Sequence, residues 1–212
     1  MMGALAGRPA AIEDAVALLE KGGLVLHPTE TVYGIGGLLE GPSTARLRRA
    51  KGRRAGGFVV LVPGSDHVEG HLGTAGGRLA RAFWPGPLTL VCDDPEGRFP
   101  EAVKARDGSV AVRVCGHEVT RTLVARLGRP ITSTSANLPG QTPGRTVEAG
   151  FEAARGLGLR CLALDGGTLP GSPPSTIVDV RGEAWRVIRD GAIAASDLHA
   201  ALQGQPQIQE GT

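Results

Sequence analysis

Residues 24–37 (LVLHPTETVYGIGG) constrain this chain more than any other stretch. An apolar run stops at Pro28 and gives way to small hydroxyl side chains, the pattern of a buried strand ending at a polar pocket. Residues 131–137 (ITSTSAN) do the same with Ser133, Thr134, Ser135 and Asn137. Two such endings in one chain of 212 residues predict one shared polar site. Between them the run Arg46, Arg48, Arg49, Lys51, Arg53 and Arg54 concentrates positive charge. Hydroxyls beside clustered cations suit a phosphate-bearing ligand better than a lipid or a peptide.

The bulk numbers narrow the class. The length fits one large domain, expected over residues 8–194, with a polar, disordered tail over 203–212. A net charge of +2 means that any basic surface is local, and it gives no support to non-specific nucleic-acid binding. Cys92, Cys115 and Cys161 are far apart in apolar contexts. An odd count without CxxC spacing argues against a disulfide framework or a zinc site, and for buried thiols in a reducing cytoplasm. No apolar run approaches the roughly 20 residues of a membrane span, and the N-terminus lacks the pattern of a signal peptide. The expected location is therefore cytoplasmic, with no membrane partner.

Hydrophobic spacing predicts helices over 10–20, 43–50 with Ser43 as N-cap, 74–83, 117–127 and 146–155 with Thr146 as N-cap. A last short helix has Ser196 at its N-cap. Strands are expected over 24–27, 58–62, 88–92, 109–115, 131–135, 161–164, 176–180 and 184–188, the last two as a hairpin. Helices and strands alternate early and hairpins come later, so the fold class is α/β, a single domain built on a twisted mixed parallel and antiparallel sheet with flanking helices.

Several motifs read in two ways. Thr29 and Thr31 after Pro28 either offer hydroxyls to a ligand from one side or cap a turn. Lys51 and Arg53 lie just past a helix end, where they either neutralise phosphates or face water. Ser133 and Ser135 share a face by alternation. Ser135 lacks a base placed by sequence, which disfavours a serine hydrolase. Arg113 in an apolar strand needs a carboxylate, a phosphate or solvent, and Arg189 poses the same question. His67 and His71 have metal-ligand spacing without a third ligand, so a solvent-facing pair is expected. Gly34-x-Gly36 lacks the third glycine of a dinucleotide fingerprint, and no P-loop is present.

With these residues in view, the chain resembles the threonylcarbamoyl-AMP synthase family (YrdC-like domain). The resemblance spans roughly residues 10–193 and rests on HPTETVYGIGG, Lys51-Gly52-Arg53, FWPGPLTLV, SVAVRVC, STSAN, PSTIVDV and VIRDGAI, in the family's order. It implies a nucleotidyltransferase that joins L-threonine, bicarbonate and ATP into threonylcarbamoyl-adenylate and releases pyrophosphate, with Mg2+ bound mainly through the ATP phosphates. A partner threonylcarbamoyl transferase complex would then modify a tRNA adenosine, and direct tRNA contact is a further implied interaction. Residue by residue, it implies L-threonine contacts from Thr29, Ser133 and Ser175. Lys51 and Arg53 would be the catalytic cations on the phosphates. Ser109, Arg113, Ser135, Asn137 and Arg189 would complete the ATP side. This chain departs from the family pattern in the loop after Arg53, which lacks the usual Pro, and in His27, where an aromatic or aliphatic residue is usual. The alternatives are a carbamoyl-adenylate-forming relative and a non-enzymatic RNA-binding protein of the same fold.

Overall fold

The computed structural model describes residues 11–52, 57–182 and 184–203. Arg53, Arg54 and the tail from residue 204 onward, all singled out by sequence, lie outside the described residues. Among the described residues the order is α1 (Ile12–Glu20), β1 (Val25–His27), β2 (Gly34–Gly36), α2 (Pro42–Ala50), β3 (Val59–Leu61), α3 (Gly73–Phe83), β4 (Leu88–Cys92) and β5 (Val110–Arg113). There follow α4 (Glu118–Leu127), β6 (Ile131–Ser135), α5 (Val147–Gly156), β7 (Leu162–Ala163), β8 (Thr176–Asp179), β9 (Arg186–Arg189) and α6 (Ala195–Ala201). The strands form one sheet in the order β7-β1-β2-β6-β3-β5-β4-β8-β9. β1–β7, β3–β5 and β4–β8 run parallel and the other pairs antiparallel, as the expected mixed sheet requires.

Strand alternation sorts the side chains onto two faces. One face carries Val60, Leu88, Leu90, Val112 and Val178, packed under α3 and α6 through Leu79, Leu198 and Leu202. At its other end the same face carries Leu26 and Ile35, sealed by Leu47 of α2 and Ala154 of α5. Each fully buried aliphatic side chain there contributes about 2 kcal/mol. The opposite face is covered at one end only, where α1 and α4 bury Val25, Leu61 and Ile131 with Leu19, Leu123 and Leu127. Along β6 that face changes from Ile131 to Ser133 to Ser135, and along β5 it holds Ala111 and Arg113. Where the aliphatics stop, the helices stop, and the sheet is left open.

Most expected elements are present, with informative differences. Residues 34–36, where no strand is expected from the sequence, form β2 between β1 and β6. Gly-Ile-Gly hides this strand from propensity, and its glycines are required sterically: a methyl on Gly36 would stand 2.0 Å from the Thr132 carbonyl oxygen. Ser43 does not cap α2. Gly41 takes the N-cap at φ 90° with Pro42 following, while the Ser43 hydroxyl donates to the Leu38 carbonyl at 3.2 Å. Ser196 likewise lies inside α6, whose N-cap is Ala194 without a side-chain bond. Thr146 does cap α5, its Oγ1 accepting from the Ala149 N–H at 3.3 Å. His71 is not solvent-facing. Its side chain is 2 % exposed and its Nε2 stands 3.4 Å from Asp94, a carboxylate also held by Lys104 at 3.1 Å. No described helix is long and apolar enough to cross a membrane.

Candidate active site

The open half of the sheet is the floor of a cavity of about 530 Å³, within the range that holds a small-molecule ligand. Its lining includes Thr29, Thr31 and Gly34 on one side, Ser133 and Ser135 of β6 and Ser109, Ala111 and Arg113 near β5 at the centre, and Ser175, Ile177, Arg186, Ile188 and Arg189 on the other. Seven of the residues singled out by sequence thus meet in one hollow: Thr29, Ser109, Arg113, Ser133, Ser135, Ser175 and Arg189. Lys51 and Asn137 do not line it themselves but join it through Ser135. Lys51 Nζ donates to the Asn137 carbonyl at 2.7 Å and to its Oδ1 at 3.0 Å. The Ser135 hydroxyl donates to the same Oδ1 at 2.5 Å. Asn137 is held in turn by donating Nδ2 to the Leu138 and Gln141 carbonyls. With its proton given to Asn137, Ser135 has no base of its own and is not a nucleophile.

Thr29 and Thr31 point to one side, as alternation after Pro28 requires, but their roles differ. Thr29 Oγ1 donates to the Val32 carbonyl at 2.7 Å and accepts from the Thr31 and Val32 N–H groups, each at 3.2 Å. Its hydroxyl therefore closes the turn, the structural alternative open for it in the sequence. Thr31, not singled out by the resemblance, keeps free acceptor capacity toward the cavity. Tyr33 anchors the end of this segment, donating to the Gly167 carbonyl and accepting from the Gly166 N–H, both at 2.9 Å.

The two arginines resolve differently. Arg113 is buried and paired with Glu30 at 2.5 Å, and its Nε donates to the Gly86 carbonyl at 3.0 Å. Burial pushes the Glu30 carboxyl up, but the Arg113 guanidinium, backbone N–H groups including Gly116 and the Cys115 thiol outweigh it and hold it below the ordinary value. Arg189 has no carboxylate partner among the described residues. Its Nη2 donates to the Ser175 carbonyl at 2.7 Å and to Ser175 Oγ at 3.1 Å. Burial and then the nearby Arg113 charge lower its pKa. A guanidinium destabilised by burial and by a like charge nearby is a site that an anion relieves.

A β-bulge aims Arg189. The β8–β9 register pairs Val178 with Val187 but Ile177 with Arg189, so Ile188 is the extra residue. Regular alternation would send Arg189 away from the cavity; with the bulge, Arg186, Ile188 and Arg189 all line it. Ile188 is 49 % exposed and supplies an apolar wall at the mouth. Arg181, which sequence reading passed over, clamps the rim. It binds Asp179 through Nε at 2.9 Å and Nη2 at 2.7 Å, and Asp107 through Nη1 at 2.7 Å. The Ser109 hydroxyl and N–H, with Arg181, pull Asp107 down to about 2. Alternation in residues 176–181 was the available signal, since it places Asp179 on the same face as Ile177.

Burial pushes the thiols of Cys92 and Cys115 up to about 12 and that of Cys161 to about 11, so all three are inert at neutral pH. Among the described residues no group of His, Cys, Asp and Glu could hold a metal ion.

Similarity to known proteins shows the family and the fold. The family model Sua5_yciO_yrdC, described as Telomere recombination, matches residues 17–191. The threonylcarbamoyl-AMP synthase of Thiobacillus denitrificans is 35% identical over 171 residues, covering 77% of this chain and 88% of that protein. The threonylcarbamoyl-AMP synthase of Chromohalobacter salexigens is 37% identical over 182 residues, covering 82% of this chain and 96% of its own length. The crystal structure of Pyrococcus abyssi Sua5 complexed with L-threonine superposes with a TM-score of 0.82 at 29% identity, over 93% of this chain. This chain spans 58% of that longer one. With the family model matched over most of its length and relatives above the 30% level, the chain belongs to the Sua5/YciO/YrdC family.

Proposed function

We propose that this protein is an L-threonylcarbamoyladenylate synthase, which joins L-threonine, bicarbonate and ATP with release of pyrophosphate, for the threonylcarbamoyl modification of tRNA. The observation that carries the reading is the convergence of a carboxylate-free Arg189, a hydroxyl-lined strand end and the Lys51–Asn137–Ser135 chain on one cavity. An amino acid needs small polar partners, and a nucleotide tail needs fixed cations; both are supplied within one hollow.

The threonine amine takes up bicarbonate-derived carbon dioxide to give a carbamate. A carbamate oxygen then attacks the α-phosphorus of ATP, and the α–β bridging oxygen leaves with pyrophosphate. Negative charge grows on the phosphate oxygens in this step, so cations already in place stabilise it more than the ground state. Lys51 and Arg53 are assigned to the phosphates as catalytic cations, with Ser109, Ser135, Asn137 and Arg189 on the nucleotide side. Arg113 shapes that wall while paired to Glu30. Ser133, Thr31 and Ser175 face the amino acid, and Thr29 holds the turn that presents Thr31. A labile carbamate must be trapped before it decomposes, and a shared hollow provides the proximity.

Mg2+ fits this site only as a companion of the nucleotide. The described residues offer no carboxylate cage, and the carboxylates at the mouth, Asp107 and Asp179, are held by Arg181. Bound with the nucleotide, Mg2+ would supply charge neutralisation at the phosphates. The partner transferase and tRNA belong to the same proposal, as does a cytoplasmic location. The test is mass spectrometry of the products after incubation with ATP, Mg2+, bicarbonate and L-threonine. Threonylcarbamoyl-adenylate is expected. A product that forms only when carbamoyl phosphate replaces L-threonine and bicarbonate would reassign the substrate.

A further inference from the structure

His27 is fully buried, and its Nε2 has no hydrogen-bond partner. The other ring nitrogen fixes the tautomer. Thr120 Oγ1 donates its single proton to the Pro28 carbonyl and stands 3.4 Å from His27 Nδ1. Toward the imidazole Thr120 can therefore only accept, so Nδ1 carries the ring proton and Nε2 is a bare lone pair. A buried acceptor left in this state costs about 1–3 kcal/mol.

The place where Nε2 sits gives it a use. His27 pairs with Gly34 across β1–β2, and Gly34 pairs with Ser135 across β2–β6. A methyl on Gly34 would stand 3.1 Å from His27 Nε2 and 2.8 Å from Ser133 Oγ. The missing side chain thus leaves a notch with the imidazole on one side and the Ser133 hydroxyl on the other. Ser133 faces the cavity, and among the described residues its hydroxyl makes no hydrogen bond. Thr31 shows the same polarity by another route. Thr29 gives its single proton to the Val32 carbonyl, so it donates nothing to the Thr31 hydroxyl 3.2 Å away, whose lone pairs stay open toward the cavity.

We propose that His27 is a positioning residue for the amino-acid subsite: its Nε2, which meets no donor in this structure, takes the Ser133 hydroxyl proton across the Gly34 notch when that side chain rotates onto it, so that Ser133 presents only lone pairs to the cavity. Ser133 and Thr31 then form a pair of acceptors that selects the amino group of the bound amino acid and rejects its carboxylate. The inference rests on the functional reading above.

The experiment is a double-mutant cycle read by calorimetric L-threonine binding. His27→Phe keeps a planar ring without the acceptor and is expected to weaken L-threonine about tenfold, with ATP affinity held. His27→Gln, whose Oε1 restores an acceptor, is expected to recover most of the loss. In a Ser133→Ala background His27→Phe is expected to add nothing, because the residue acts through Ser133. Unaltered L-threonine affinity in His27→Phe, or an equal loss in the Ser133→Ala background, would overturn the inference. A readout that needs no variant is the 15N signal of His27 Nε2 at neutral pH. An unprotonated nitrogen that shifts on L-threonine addition is expected, and a protonated Nε2 contradicts the proposal. A wild type that makes threonylcarbamoyl-adenylate while His27 proves silent sinks the inference alone. A wild type that neither binds nor converts L-threonine sinks the functional reading and the inference with it.

Discussion

Single residues set the charge balance of the cavity. Lys51 sits at the C-terminal end of α2, where the last turn already carries Arg48 and Arg49, and it reaches Asn137. Lys51→Ala is expected to reduce pyrophosphate release about 100-fold or more with thermal unfolding unchanged, since Lys51 is not a core residue. Arg53→Ala is expected to do the same. Release by both variants close to wild type would contradict their assignment. His27 makes a separate prediction about pH. Burial lowers its pKa from 6.5 to about 4, against a hydrogen bond to Pro28, and the charge of Arg113 and the neighbouring His117 lower it further. Between those values the unfolded chain holds a proton that the folded chain refuses. Stability is therefore full above pH 6.5 and falls as the pH drops toward 4, by on the order of 3 kcal/mol. Denaturant unfolding at several pH values should show this slope in wild type and a reduced one in His27→Phe. Side-chain chemistry made most of these positions visible: a charge in an apolar strand, or hydroxyls where a strand should stay aliphatic. It could not choose their partners. That Arg113 needs a partner follows from its neighbours, whereas the identity of Glu30, 83 positions away, needs the fold.

At the level of elements, the long apolar runs were legible because period and length leave few alternatives. β4 and β6 lie where periodicity places them. β2 was not legible, because the two glycines of Gly34-Ile35-Gly36 outweigh the single β-former Ile35, and its strand character comes from pairing with β1 and β6. Its glycines are read as fit to neighbours. Gly36→Ala is expected to destabilise the protein by about 3 kcal/mol or more, since the methyl would collide with the Thr132 carbonyl, a backbone atom that cannot swing aside. A chemical denaturation midpoint equal to wild type would show that β2 has slack that this packing denies. The bulge in β9 was also out of reach of sequence. Alternation alone turns Arg189 outward, and the single inserted residue Ile188 turns it in. The missed caps at Ser43 and Ser196 have one cause: each is preceded by a residue whose backbone already starts the helix.

At the scale of the whole molecule, one sheet does two jobs. One face is covered from end to end, and the other is covered only where α1 and α4 bury Val25, Leu61 and Ile131. Beyond that cover the strands carry serine, alanine and arginine, and the cavity begins. Distant segments meet there because β6 lies between β2 and β3, and because β4 separates β5 from β8. Sequence read the composition of this floor correctly, but strand order alone decides that residues near 30, 110, 133 and 189 share it. The most direct test of the account is a crystal structure with L-threonine and a non-hydrolysable ATP analogue. The expected result is the amino acid against Ser133 and Thr31, with the phosphates running toward Arg189 and Lys51. Ligands seated elsewhere, for example in the basic groove of Arg46, Arg49 and Arg160, would contradict it.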